Sequence, residues 1–180
     1  MFISEFMFEI KISDGVEAHV HGDMITLKGK NGSTVKKFSP KFIDVKVSGK
    51  NIVIEPSKEK KLAKKAALAE KAFSTEMKNA VDGVENGVER KLQIISAHFP
   101  ISLEVKGKTI FIKNIFGERV PREVSIHGDT KIEVKGQEVN VKGVDIYDVT
   151  QTIANIRKGC YACGHDTRVF QDGLYLVKED

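Results

Sequence analysis

The chain has 180 residues, enough for one large domain or two small ones at ~100–200 residues per domain. Hydrophobic residues at 41% and charged residues at 30% exclude wholesale disorder, and with no tryptophan and only 7% aromatics the core has to be aliphatic. A formal charge of +4 permits a polyanionic partner without requiring one, because clustered cations and not totals carry phosphate affinity.

The opening "MFISEFMFEIKIS" lacks a basic leader and carries Glu5 and Glu9, so no signal peptide is expected. No apolar run approaches the ~20 residues of a membrane span, and a cytoplasmic protein without a membrane partner is expected. Period-2 alternation then dominates: Phe6, Phe8, Ile10 and Ile12; Val16, Ala18 and Val20; Ile25 and Leu27; Val45 and Val47; Ile52 and Ile54. Glycines 15, 22, 29, 32 and 49 punctuate these runs, which predicts short strands joined by tight turns. After Pro56 the period changes. Leu62, Ala66, Ala69, Phe73, Met77 and Ala80 recur at three- and four-residue steps, predicting an amphipathic helix with Ser57 as N-cap and Gly83 as its stop.

The same order is then written again. "VEAHVHGDMITLKGKNGSTV" aligns with "ISLEVKGKTIFIKNIFGERV", matching Gly22 to Gly107, Ile25 to Ile110, Leu27 to Ile112, Gly32 to Gly117 and Val35 to Val120. Farther on, "VSGKNIVI" aligns with "VKGQEVNV" at an offset two residues greater. A second helix over Asp145–Lys158 carries Ile146, Val149, Ile153 and Ile156 on one face. The expected fold is α+β: two tandem duplicated domains, residues 1–85 and 86–180, each a small antiparallel β-sheet packed on one α-helix.

Little of this pattern is catalytic. No phosphate loop, GxSxG or HExxH is present, and no carboxylate pair sits in an apolar setting, so no enzyme is expected. His19 and His21 share a strand face, His98 and His127 stand alone, and none has a local third ligand. The run "SKEKKLAKKAALAEK" reads as a solvated helix face in which acids interleave with lysines; a phosphate-binding face is the alternative. Charge type separates the halves better than charge number. The first 85 residues hold fifteen lysines and no arginine, whereas all five arginines, Arg90, Arg119, Arg122, Arg157 and Arg168, lie in the second. Arginine's planar fork suits phosphate and base edges.

The second helix adds Gln151, Asn155 and Lys158 on one polar face, flanked by Thr152 and Arg157. That face suits phosphate, sugar and base contacts, and equally a generic solvated surface. The following segment carries Arg168, Phe170 and Tyr175, a basic and aromatic set able to pair and stack with RNA. Asp172–Gly173 reads as a turn between two extended pieces. Cys160, Cys163 and His165 give three candidate metal ligands, one short of a closed tetrahedral zinc site. A redox CxxC normally opens a helix, whereas this one follows a helix end at Gly159. No metal or other cofactor is therefore expected, with a metal-binding or redox protein centred on this segment as the alternative reading.

The segments "DVTQTIANI", "RVFQDGLYLV", "FGERVPREV" and "SAHFPISLEVKG" together resemble the large-subunit ribosomal protein six family in its archaeal and eukaryotic branch. The resemblance covers essentially the whole chain, and tandem duplication is that family's architecture. It implies a structural constituent of the large ribosomal subunit, located in the cytoplasmic ribosome, with rRNA and neighbouring large-subunit proteins as partners and no small-molecule substrate. It further implies rRNA contact through the second domain and tail near the factor-binding region and sarcin–ricin loop. The residues it marks are Gln151, Asn155, Arg157, Lys158, Arg168, Phe170, Gly173 and Tyr175, with Asp172 in the same tail motif shaping the loop and Arg119 and Arg122 as a second set. Two departures stand out: Thr150 where the family usually has glycine, and "KGCYACGHDT" where it is usually basic and cysteine-free.

Overall fold

A computed structural model describes residues 8–13, 15–49, 51–57, 62–97, 99–164 and 166–177. His98 and His165 lie outside the described residues. The chain separates into two compact units, Met1–Gly87 and Val88–Asp180.

The first unit contains β1 (Phe8–Lys11), β2 (Glu17–His21), β3 (Met24–Gly29), β4 (Gly32–Lys37), β5 (Ile43–Ser48), β6 (Asn51–Pro56) and α1 (Ala63–Asn86). Two three-stranded antiparallel sheets form, in the orders β1-β6-β5 and β2-β3-β4. The alternation seen in the sequence is the pleat itself. Ile10, Ile25, Leu27, Val45, Ile52 and Ile54 are buried, and their sequence neighbours face outward or sit half-buried. Helix α1 covers this aliphatic layer with Ala66, Phe73, Met77, Ala80, Val81 and Val84. The described helix begins at Ala63 with Leu62 at the cap position, so Ser57 does not cap it. It also runs through Gly83, which is buried, and stops at Gly87, whose φ of 75° suits glycine. Packing of Val84 carries the helix past the residue that local propensity marks as its end.

The second unit repeats the plan with β7 (Val88–Ile95), β8 (Ser102–Lys106), β9 (Thr109–Lys113), β10 (Arg122–Ser125), β11 (Lys131–Lys135), β12 (Glu138–Gly143) and α2 (Ile146–Gly159). Its sheets run β10-β9-β8 and β11-β12-β7-β13, where β13 (Gly173–Leu176) is an added fourth strand on β7. Leu92, Ile110, Ile112, Val139 and Val141 sit where Ile10, Ile25, Leu27, Ile52 and Ile54 sit in the first unit. Residues buried this completely each contribute about 1.5–3 kcal/mol relative to exposure, which is why their spacing survives duplication. Gly22 and Gly107, and Gly49 and Gly136, occupy turns with φ of 59–62°.

Two pairings from the sequence alignment do not hold. Leu27 pairs with Thr34 and Ile112 with Arg122, leaving six residues between partners in the first hairpin and nine in the second. Val120 is therefore not the counterpart of Val35, nor Gly117 of Gly32. Gly32 opens a strand, whereas Gly117 closes a short 3-10 turn at Ile115–Gly117. The extra residues pack inward: Ile115 is fully buried, and the backbone bends through positive φ at Asn114 (59°), Phe116 (49°) and Gly117 (75°).

Candidate nucleic-acid interface

Helix α2 starts where the sequence places it. Asp145 is the N-cap, its carboxylate accepting from the Tyr147 N–H at 2.9 Å, and Asp148 lies in the first turn where the helix dipole favours an anion. Val149, Thr152, Ile153 and Ile156 are buried, which turns Gln151 and Asn155 to the half-buried flank and Arg157 and Lys158 to solvent. The amides are committed within the protein: Gln151 Nε2 donates to Asn155 Oδ1 (3.0 Å), and Asn155 Nδ2 donates to the Ser125 carbonyl (3.1 Å). Thr150 is exposed and folds its hydroxyl back onto the Ile146 carbonyl at 2.7 Å.

The tail holds Arg168 by its main chain. Its N–H donates to Asp166 Oδ1 (2.9 Å) and its carbonyl accepts from Gln171 Nε2 (3.1 Å), while Phe170 N–H closes the turn onto the Asp166 carbonyl (2.9 Å). Asp172 is buried and accepts from the Ala97 N–H, tying the tail to the segment after β7. It thus shapes the loop, but the expected Asp172–Gly173 turn is absent because Gly173 already opens β13 against Ile95. Leu174 enters the core, while Tyr175 alternates outward, 44% exposed, its hydroxyl donating to the Gln171 carbonyl at 2.9 Å. Phe170 is half-buried, edge-on to Phe116 at 6.2 Å between centroids.

The arginines divide. Arg119, Arg157 and Arg168 are exposed, as is Lys158, and none forms an ion pair with a described residue. Arg122 is engaged inside the unit. Its Nε and Nη2 grip the Glu118 carboxylate at 2.7 and 2.5 Å, and its Nη1 donates to the Gly159 and Tyr161 carbonyls at 2.9 and 2.8 Å. The hydrogen bonds it donates to Glu118 are the main reason its charged form is favoured beyond that of an ordinary arginine.

The cysteines part company as well. Cys160 is buried at the end of α2 and its thiol is pushed up to about 11, chiefly by desolvation; a hydrogen bond from the Leu174 backbone and the charge of Arg122 act the other way. Cys163 is exposed. Among the described residues no group of three His, Cys, Asp or Glu side chains converges on a metal-sized site.

Sequence reasoning missed a polar cluster beside α2. His127 Nδ1 lies 2.8 Å from Asp148 Oδ1, its ring meets Tyr147 edge-on at 5.4 Å, and its backbone N–H donates to Thr152 Oγ1 at 3.0 Å. Only spatial proximity joins these residues; no sequence spacing announces them. The lysine-rich helix differs from expectation at one acid. Glu70 is turned inward, where burial pushes its carboxyl above the ordinary range, and Glu76 binds Lys36 at 3.2 Å. Lys64, Lys65, Lys71 and Lys78 are exposed, as is Glu76, so Glu70 is the acid that leaves the solvated face among the described residues.

The model of the family described as "Ribosomal protein L6" matches residues 99–173, from the segment after β7 to the start of the added strand. The chain is 37% identical to the large ribosomal subunit protein uL6 of Methanobrevibacter smithii, over 96% of this chain and 95% of the relative. It is 36% identical to that of Methanosarcina mazei, over 98% and 99%, and 35% identical to that of Thermoplasma acidophilum, over 94% of each. Likeness at this level along both copies of the duplication establishes that the chain belongs to the ribosomal protein L6 family.

Proposed function

We propose that the chain is a structural constituent of the large ribosomal subunit, catalyses no reaction, and binds large-subunit rRNA through the second unit and its tail. One observation carries the reading: Arg119, Arg157, Lys158 and Arg168 are exposed and free of ion pairs with described residues, and all belong to the unit that carries the extra strand. Exposed cations free of such pairs are available to phosphates, and each phosphate neutralised releases counterions. Tyr175 adds an exposed aromatic face for a base, and half-buried Phe170 adds a ring edge beside Arg168 in sequence. Gln151, Asn155 and Gly173 act chiefly by holding α2 and the tail in place. From the resemblance we infer a contact near the factor-binding region and sarcin–ricin loop, with large-subunit proteins as neighbours in the cytoplasmic ribosome. Relatives named as large ribosomal subunit proteins support a place in the large subunit.

Chemical footprinting of large-subunit rRNA with the purified chain tests the reading. Arg168→Ala should lose protection at a few nucleotides and lower the slope of log affinity against log salt by about one. Unchanged protection and slope in both Arg168→Ala and Arg157→Ala would reject this surface.

A further inference from the structure

We propose that Arg122 is a positioning residue for RNA binding, a latch that fixes the exit of α2 and thereby presents the tail. The proposal rests on the rRNA-binding reading above and gives Arg122 a task other than touching phosphate.

Four of its N–H groups are already used, two on Glu118 and two on the Gly159 and Tyr161 carbonyls. A guanidinium has five such donors, so little remains for a ligand. The two carbonyls lie at the last residue of α2 and two residues beyond it, where a helix leaves acceptors unsatisfied and favours a cation. Arg122 thus holds not only the helix end but the first step of the chain leaving it. Cys160 sits between the two clamped residues, buried, and receives a hydrogen bond from the Leu174 backbone, which begins to tie the helix exit to β13.

A second connection runs through Phe116. Its φ of 49° is a left-handed conformation that a bulky residue adopts only under constraint. The ring lies 5.6 Å from the Arg122 guanidinium and edge-on to Phe170, the residue two after Arg168. The strained loop therefore places one ring between the latch and the tail turn. Glu118, the anchor of the guanidinium, comes from the same loop. Phe116 and Glu118 fall in the three-residue-longer connection that the first unit lacks, and Arg122 follows it as the first residue of β10; the first unit has no tail strand after its helix among the described residues. Extra loop and extra strand occur together.

The test uses the full chain and deproteinised large-subunit rRNA, with binding measured across a salt series and amide hydrogen exchange measured without RNA. Arg122→Ala should weaken binding by about tenfold at the salt slope of the unsubstituted protein. Exchange should accelerate for amides in 160–176 while those of Val139 and Val141 keep their rates. Arg122→Lys should fare nearly as badly, since an ammonium keeps the charge but cannot fork between Glu118 and two carbonyls. Glu118→Gln, a milder change, should move both readouts in the same direction by about threefold, and it decides the matter if Arg122→Ala fails to fold. A slope lowered by about one with tail exchange unaltered would overturn the latch and make Arg122 a phosphate contact. Unchanged affinity and exchange would overturn it too. If the unsubstituted chain binds no rRNA, the RNA-binding reading falls, while the exchange rates still decide the latch.

Discussion

Both units end their helix against the same hairpin, and they close it with opposite parts. In the first, the two-residue turn between β3 and β4 brings Asn31 to the helix end, where its N–H donates to the Val84 carbonyl at 3.2 Å and its Nδ2 to the Glu85 carbonyl at 2.7 Å. In the second, the longer connection leads to Arg122, which caps with a charged fork and reaches past the helix to Tyr161. The glycine that permits close approach has also changed sides. A Cβ on Gly29, in the strand, would run into the Val84 side chain; in the second unit it is Gly159, in the helix, whose Cβ would meet Val124 Cγ2 at 2.5 Å. Duplication preserved the requirement, a capped helix end pressed on a hairpin, and left the residues free to differ. A neutral amide suffices where α1 ends at Gly87 and the next unit begins. A cation with reach is needed where the chain must be led into a tail.

The strongest way to break the comparison is to remove what the longer connection buries. Ile115 has no exposed surface, and Ile115→Ala should destabilise the second unit by about 2–5 kcal/mol. Hydrogen exchange resolved by unit should show the loss in β9, β10 and α2, with β3 and α1 unchanged; an equal loss in both units would mean that the loop is not a local device. Gly159→Ala should cost about 1–3 kcal/mol through overpacking against Val124 and Ile112, read as a lower urea midpoint of the second unit. Asn31→Ala sharpens the contrast. It removes one side-chain donor from a largely exposed site and should cost about 0.5–1.5 kcal/mol, confined to the end of α1, with no change in RNA affinity. Weaker RNA binding in Asn31→Ala would show that the first cap also serves the interface.

How much of this was legible follows from what each feature depends on. Alternating apolar residues and the turn glycines are local, and they identify the strands, the duplication and the α+β class because one buried face demands period two. Asp145 and Val149, Ile153 and Ile156 likewise mark α2 without help from elsewhere in the chain. Hidden features were those decided by distant packing. The match of Val35 to Val120 followed from residue type, whereas strand register put three more residues in the second hairpin. Arg122 in "GERVPRE" looks like an RNA contact by composition, yet Glu118 takes two of its donors and Gly159 and Tyr161, some forty residues away, take two more. Glu70 looks like one of several acids among lysines, yet its position on the inner side of α1 buries it. Arg157 and Arg168 are exposed in the structure, as a cationic surface requires.

The smallest predicted effect concerns the cysteines, which sit where the first unit has no equivalent. Arg122 favours the Cys160 thiolate electrostatically, but burial outweighs it and holds the thiol at about 11. At pH 8 a maleimide should therefore label Cys163 rapidly and Cys160 only after unfolding, as followed by mass spectrometry of the intact protein. The sign of the pH dependence follows from the same shift. A thiol raised in the folded state keeps its proton there after the unfolded chain, with an ordinary thiol, has lost it. Its contribution to stability is complete below the ordinary thiol pKa of about 8.5 and is lost as pH rises through about 11. Cys160→Ala should flatten the alkaline limb of the stability profile, whereas Cys163→Ala should leave it unchanged. Loosening the latch by Arg122→Ala acts on Cys160 from two directions, removing a favourable charge and opening the site to water. If water entry dominates, Cys160 becomes labelled in the folded variant, and thiol labelling then reports on the same tail ordering as amide exchange. A Cys160 that stays protected in Arg122→Ala would show that the buried end of α2 and β13 holds the thiol without the latch.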